Sequence, residues 1–167
     1  MTQLYQLDPS DIWVVYRMAQ LLVADGHQAD ADSLYQHAVP QCSDPAAAHY
    51  AYALYLSATD RNTQASSQLA LVPRTQWSDG MRNLDQRLRN EAVIAEARKL
   101  QAQGHLAAAD QRLQPLGNQP NILLIRADWQ ATAKHDEQAN ALYDAVLKQQ
   151  PDNLEARFGK VNVLISM

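Results

Sequence analysis

The sequence predicts an all-α protein assembled as a stack of helix pairs. Three observations lead there. The strong helix formers Ala, Leu, Gln, Arg and Glu dominate a chain of 167 residues with only 5 Gly and 7 Pro. Apolar residues make up 47 %, well above the range of disordered chains, and much of that share is Ala. The third observation is a period. Slid along by 34 residues, Tyr16 falls on Tyr50, Ala19 on Ala53, Leu22 on Leu56, Gly26 on Asp60, Ala31 on Ala65 and Tyr35 on Leu69. The same internal spacing returns as Ala97, Gly104, Ala109 and Leu113, and again as Ala127, Lys134, Ala139 and Tyr143. Small residues, a turn residue and one bulky side chain recur, which is a pattern for packing. A catalytic site would fix reactive groups instead.

Each element follows from that pattern. A first helix is expected near 11–25, ended by Gly26 in a left-handed backbone, and a second near 28–41. Asp44-Pro45 opens the next pair, near 45–59 and 62–71. The third pair, near 91–103 and 106–114, is cut short by Pro115 and Gly117; this explains why Ala97 and Ala127 are only 30 residues apart. Helices near 120–133 and 136–149 form a fourth pair, stopped at Gln150-Pro151, and a lone helix near 153–165 closes the chain. There Val161, 22 residues past Ala139, is the expected next small contact. Ala53 to Ala97 spans 44 residues, ten more than the period. The surplus lies in "QWSDGMRNLDQRLRN", where Met81, Leu84 and Leu88 make an apolar stripe at helical spacing. An unpaired extra helix near 79–89 is expected, with Ser78 or Asp79 capping it and Asn90 capping the next. A single helix from 79 to 103 is the rival, since neither Pro nor Gly interrupts after Gly80. Either way the stack should change direction there.

A 34-residue period of helix, turn and helix is the signature of the tetratricopeptide repeat, and the chain resembles that family over nearly its whole length. The resemblance implies a right-handed superhelix, an α-solenoid. Its repeats would run over about 12–45, 46–79, 90–119 and 120–153, with a half-repeat at 154–167 and an insertion at 80–89. The whole would be a single array fragment. Leu4 and Tyr5 read as the tail of a preceding helix, while 153–165 lacks a partner and should leave an apolar side open to water. Solenoids normally end in polar caps, so an excised piece of a longer array is expected.

Bulk properties exclude several functions. The formal charge is −4 and no basic block occurs, so there is no nucleic-acid footprint. No apolar run approaches the roughly 20 residues of a membrane span. Met1 is followed by Thr-Gln-Leu-Tyr-Gln, without the basic start and apolar stretch of a secretory leader. The lone Cys42 rules out an internal disulfide and a multi-cysteine metal site; it has no neighbouring base and reads as inert. His27, His105 and His135 keep one offset from Ala19, Ala97 and Ala127. They read as turn residues near helix C-termini and not as metal ligands. His37 and His49 lack carboxylate company at ligand spacing. Asp30 and Asp32, or Glu91 and Glu96, do not form a pair across a cleft, and no phosphate loop or serine elbow is present. No catalytic residue, metal or cofactor is expected.

Certain phrases are more specific than the generic repeat. "LDPSDIWVVYRMAQLLVADG", "AHYAYALYLSATDRNTQASSQLALVPRTQW" and the irregular segment before Ala97 resemble the periplasmic tetratricopeptide-repeat region of the cellulose export proteins, the C family of bacterial cellulose synthase components. That resemblance implies a non-catalytic scaffold or guide segment in the periplasm, within a longer outer-membrane-anchored protein of cellulose export. Its partners would be other subunits of the synthase complex and the β-1,4-glucan chain. The rival is a generic adaptor for a peptide or partner protein unrelated to polysaccharide, and dimerisation through open terminal helices is a further option. In the tetratricopeptide family the first helices line the concave surface. Trp13, Tyr16 and Gln20 share one face of the first helix, and Tyr50, Leu54 and Ser57 occupy the matching face of the second pair. Arg98, Asp128, Phe158 and Asn162 continue that face. A glucan could stack on its aromatics and a peptide could lie along it. Tyr35, Trp129 and Tyr143 read as fillers between helices.

If the register is right, Ala53→Leu overpacks a helix crossing and costs about 1–3 kcal/mol. Thermal denaturation checks this; an unchanged melting temperature contradicts the register.

Overall fold

Asp11 opens the first helix as a cap, its carboxylate accepting the Trp13 backbone N–H at 3.0 Å and satisfying a donor that the first turn leaves unpaired. The structure, a computed structural model, describes residues 11–167. The expectations for Leu4 and Tyr5 lie outside these residues. Helix α1 (Ile12–Ala24) is followed by α2 (Gln28–Ala38), α3 (Pro45–Ala58) and α4 (Asn62–Ala70). Then come α5 (Asp79–Ala102), α6 (Leu106–Leu113), α7 (Pro120–Thr132), α8 (Asp136–Gln149) and α9 (Leu154–Ser166). Among the described residues there is no strand. The fold is all-α, its helices packed in neighbouring pairs of the tetratricopeptide kind. Both α2 and α6 finish in single 3-10 turns, Val39–Gln41 and Gln114–Leu116. Pro40 and Pro115 lack the N–H that another α-turn would need.

One turn is used four times. Gly26, Asp60, Gly104 and Lys134 adopt left-handed φ values of 81°, 61°, 86° and 64°. The next residue's N–H then returns to a carbonyl five positions back: His27 to Leu22, Arg61 to Leu56, His105 to Leu100 and His135 to Gln130, at 2.7–3.0 Å. This closes the end of each first helix and starts the second helix immediately, as the packing requires. The three histidines stand at these turns, where each precedes the first residue of a second helix.

The small residues do what their spacing implies. Ala19, Ala53, Ala97 and Ala127 are fully buried, as are Ala31, Ala65, Ala109 and Ala139. Tyr35, Leu69, Leu113 and Tyr143, at the recurrent bulky position, are buried too.

By compactness the chain forms two units, one ending at Arg89 and the other beginning at Asn90. In the first unit, α1–α4 share a core with Trp77 and with Met81, Leu84 and Leu88 of α5. Tyr35 stacks on Tyr52 and Tyr55, with ring centroids 4.9 and 4.8 Å apart. Arg61 grips Asp32 of α2 with both guanidinium ends, at 3.0 and 2.8 Å, and the Tyr55 hydroxyl donates to the same carboxylate. In the second unit Ile94 and Ala97 of α5 pack with Leu113 and Ile122. Leu123, Ala127, Ala139, Tyr143, Val146, Ala156 and Val163 join α7, α8 and α9. Arg126 of α7 holds Asp110 of α6 in the same two-pronged way, at 2.7 and 3.0 Å. Lys160 of α9 pairs with Asp144 of α8.

Two expectations are corrected. The extra helix near 79–89 is not a separate element: residues 79–102 form the single helix α5. Its run of helix formers after Gly80 offers no stop. Ser78 does cap its start, accepting the Met81 N–H at 3.2 Å, but Asn90 lies in the interior of the helix and does not stand at a helix start. The second correction is Val161, which is 51 % exposed. On α9 the buried positions are Ala156 and Val163, and Gly159 is the close contact, since a Cβ there would collide with the Tyr143 ring. Val161 instead belongs to the open apolar side, with Leu154, Phe158 and Ile165, which among the described residues no helix covers.

Nothing lies within 4 Å of a Cβ added at Gly26 or Gly104, so an alanine there meets only backbone strain. Gly26→Ala and Gly104→Ala should each cost about 1–2 kcal/mol, seen as a lower urea midpoint at unchanged slope. A second expectation concerns acid. Burial raises the Asp32 carboxyl, but hydrogen bonds from Arg61 and Tyr55 and the Arg61 charge outweigh it and hold the group below its ordinary 3.8. A depressed folded value means stabilisation that is complete above 3.8 and lost as pH falls through the folded value. Urea unfolding followed downward from about pH 5 should show stability falling with pH, with a smaller slope in Asp32→Asn.

Candidate functional site

The first-unit candidates lie on α1 and α3. Trp13 is 43 % exposed and meets Tyr16 and Tyr50 edge-on, with centroids 5.7 and 6.1 Å away. Edge-to-face contacts of this kind hold a ring in place and leave the outer part of Trp13 open. Gln20 is exposed on the same helix. The α3 residues are more committed. Tyr50 is half-buried and its hydroxyl end sits where a Cβ on Gly80 would be, so the ring fills the space between α1 and the start of α5. Leu54 is half-buried against the core. Ser57 accepts a hydrogen bond from Arg87 at 3.3 Å. These three serve packing first.

The open groove on α1 includes residues that sequence reasoning missed. Trp13, Val14, Arg17, Met18 and Leu21 line a groove of about 340 Å³, and Leu21 is half-exposed. The signal was present, since Trp13, Arg17 and Leu21 follow the four-residue spacing of one helix face. Tyr16 and Gln20 lie outside that lining.

In the second unit the structure brings Asp128 and Asn162 together. They share a cleft of about 270 Å³ with Thr132, Lys134, Tyr143 and Ser166. One Asp128 oxygen accepts the Tyr143 hydroxyl at 2.5 Å. Burial, reinforced by that bond, pushes the Tyr143 phenol well above its usual range, so it stays a donor. Thr132 and Ser166 turn their hydroxyls back to the carbonyls of Asp128 and Val163. Asn162 and Lys134 have no side-chain partner among the described residues. A carboxylate, an amide and an ammonium at one polar cup can bind hydroxyls or peptide groups. They do not make an acid–base pair. Arg98 and Phe158 are exposed but do not line this cleft; Phe158 belongs to the open side of α9. Tyr35, Trp129 and Tyr143, read as fillers, each pack into a different apolar cluster. Among the described residues no group of three or more His, Cys, Asp or Glu side chains is placed to hold a metal, and no helix is long and apolar enough to cross a membrane.

Comparison with known proteins adds a direct likeness. Over 157 residues the chain is 34 % identical to "Cellulose synthase operon protein C" of Salmonella typhimurium (strain LT2), a match covering 94 % of the chain and 13 % of that relative. Over 160 residues it is 33 % identical to the protein of the same name in Escherichia coli (strain K12), covering 96 % of the chain and 14 % of the relative. A "Putative cellulose synthase operon protein C" of Escherichia coli O157:H7 matches to the same extent. The chain thus spans about one seventh of the length of the curated relatives it matches. No protein-family model matches it, and no solved structure does.

Proposed function

We propose that this chain, similar along nearly all its length to one segment of cellulose synthase operon protein C, is a non-catalytic scaffold or guide segment of bacterial cellulose synthesis and export. In this reading it lies in the periplasm, as part of a longer outer-membrane-anchored protein, and touches other subunits of the synthase complex. The likeness to proteins of that name is the observation that carries the reading. The geometry agrees in kind: the recurrent residues are spent on helix crossings, and the surface offers faces and grooves. Trp13 is the best placed side chain for a sugar ring, being open on one side and fixed by Tyr16 and Tyr50 on the other. The second-unit cup, with Asp128, Lys134 and Asn162, provides donors and acceptors for hydroxyl groups.

A protein-binding reading is favoured by a different observation. The groove beside Trp13 is lined mostly by apolar side chains, Val14, Met18 and Leu21 among them, and such a groove suits an apolar side chain of a peptide.

Titration with soluble cello-oligosaccharides separates the two. Trp13 is the most exposed indole, whereas Trp77 is buried and Trp129 half-buried, so a fluorescence change reports chiefly on Trp13. The glucan reading expects a saturable change, lost in Trp13→Ala. No change up to about millimolar ligand, a weak-binding limit of about −4 kcal/mol, sets glucan contact aside and leaves protein contact.

A further inference from the structure

A third cleft, of about 420 Å³, opens in the first unit between α4 and the start of α5. Ala70, Val72 and Trp77 supply its apolar part, and Arg74, Asp85 and Arg89 its charged part. The charged groups are held in position. Trp77 is buried and donates its indole N–H to the Val72 carbonyl at 2.9 Å. Its ring carries the Arg74 guanidinium, 4.7 Å from the centroid; among the described residues Arg74 has no carboxylate partner. Arg89 is tied through Nε to Asp85 at 2.8 Å, which leaves its outer N–H groups unspent. Two guanidinia against one carboxylate give this cleft a charge of opposite sign to the chain's −4.

We propose that this cleft receives an acidic side chain, Asp or Glu, from a segment of a partner polypeptide. Guanidinium groups present a planar fork of donors that matches a carboxylate, and both arginines have already lost side-chain freedom to Trp77 and Asp85, so less is lost on binding. The apolar floor takes the methylene stem of the incoming residue. A space of this size admits one side chain with its adjoining backbone. The site uses none of the residues of the glucan reading and does not depend on it.

The ¹⁵N-labelled chain, titrated with acetyl-Ala-Glu-Ala-amide, its Gln counterpart and inorganic phosphate, tests the proposal. The readouts are the Trp77 indole N–H and the arginine Nε–H resonances. The Glu peptide should shift them saturably while the Gln peptide does not. Arg74→Gln should weaken binding about tenfold, with the spectrum elsewhere unchanged, and Arg89→Gln provides a second, independent loss. The proposal is overturned by any of three results: no shift at about 10 mM Glu peptide, which lies beyond even weak binding; an equal response to the Gln peptide; or full affinity in both variants. Phosphate binding without peptide binding would mark a plain anion site and also overturn it.

Discussion

Helix backbones in this protein must come close enough to touch, and a side chain larger than a methyl group at the crossing would keep them apart. That steric limit organises everything else. Ala19 with Ala31, Ala53 with Ala65, Ala97 with Ala109 and Ala127 with Ala139 are all without solvent exposure, as a crossing at near-crystalline density requires. Alanine is also the best helix former, so local preference and packing demand the same residue. Agreement between levels of this kind makes a sequence specify one structure. Where alanine gives way to glycine the approach is closer still. Gly80 lies under the Tyr50 hydroxyl and Gly159 under the Tyr143 ring, both inside helices, where glycine is otherwise unfavourable.

Polar groups set the register between successive helix pairs. Arg61 and Arg126 each take a carboxylate from the preceding pair, Asp32 and Asp110, with two parallel hydrogen bonds. Such a fork tolerates little sliding. Both groups are partly shielded, so the pairs contribute more than ordinary surface bridges, which are worth little. The Tyr55 hydroxyl reaches the same carboxylate as Arg61. Burial, then that bond, raises the Tyr55 phenol to about 12, which keeps it protonated and donating at any physiological pH. These contacts bind one pair to the next without any reactive chemistry.

The surface was less legible than the fold. Periodicity indicates which face of a helix points away from the core, but not which neighbour reaches that face. Tyr50 and Ser57 were expected on an open face; Gly80 and Arg87 of α5 meet them there, because the insertion supplied a helix whose placement the 34-residue period could not give. Asp128 and Asn162 do share a cleft, while Arg98 and Phe158 lie elsewhere. The cleft at Arg74, Trp77 and Arg89 depends on a 3-10 turn and an indole N–H reaching back five residues. No repeat unit encodes that arrangement.

Sequence alone determined most of the helices and the turns at Gly26 and Gly104, because those depend on neighbours within one period: propensity, a glycine free to take a left-handed backbone, and small side chains at fixed offsets. It also determined which side chains are buried within a pair. Tertiary structure decided what lies between pairs. It placed Met81, Leu84 and Leu88 of α5 in the core of the first unit and packed Ile94 and Ala97 against Leu113 and Ile122 in the second. It chose Gly159 over Val161 as the contact of α9, and it matched each arginine with its carboxylate. The physical reason is range. Local preferences act over one or two turns of chain, whereas the arginine–carboxylate forks that join one helix pair to the next link residues 29 and 16 positions apart, and only the folded packing brings those together.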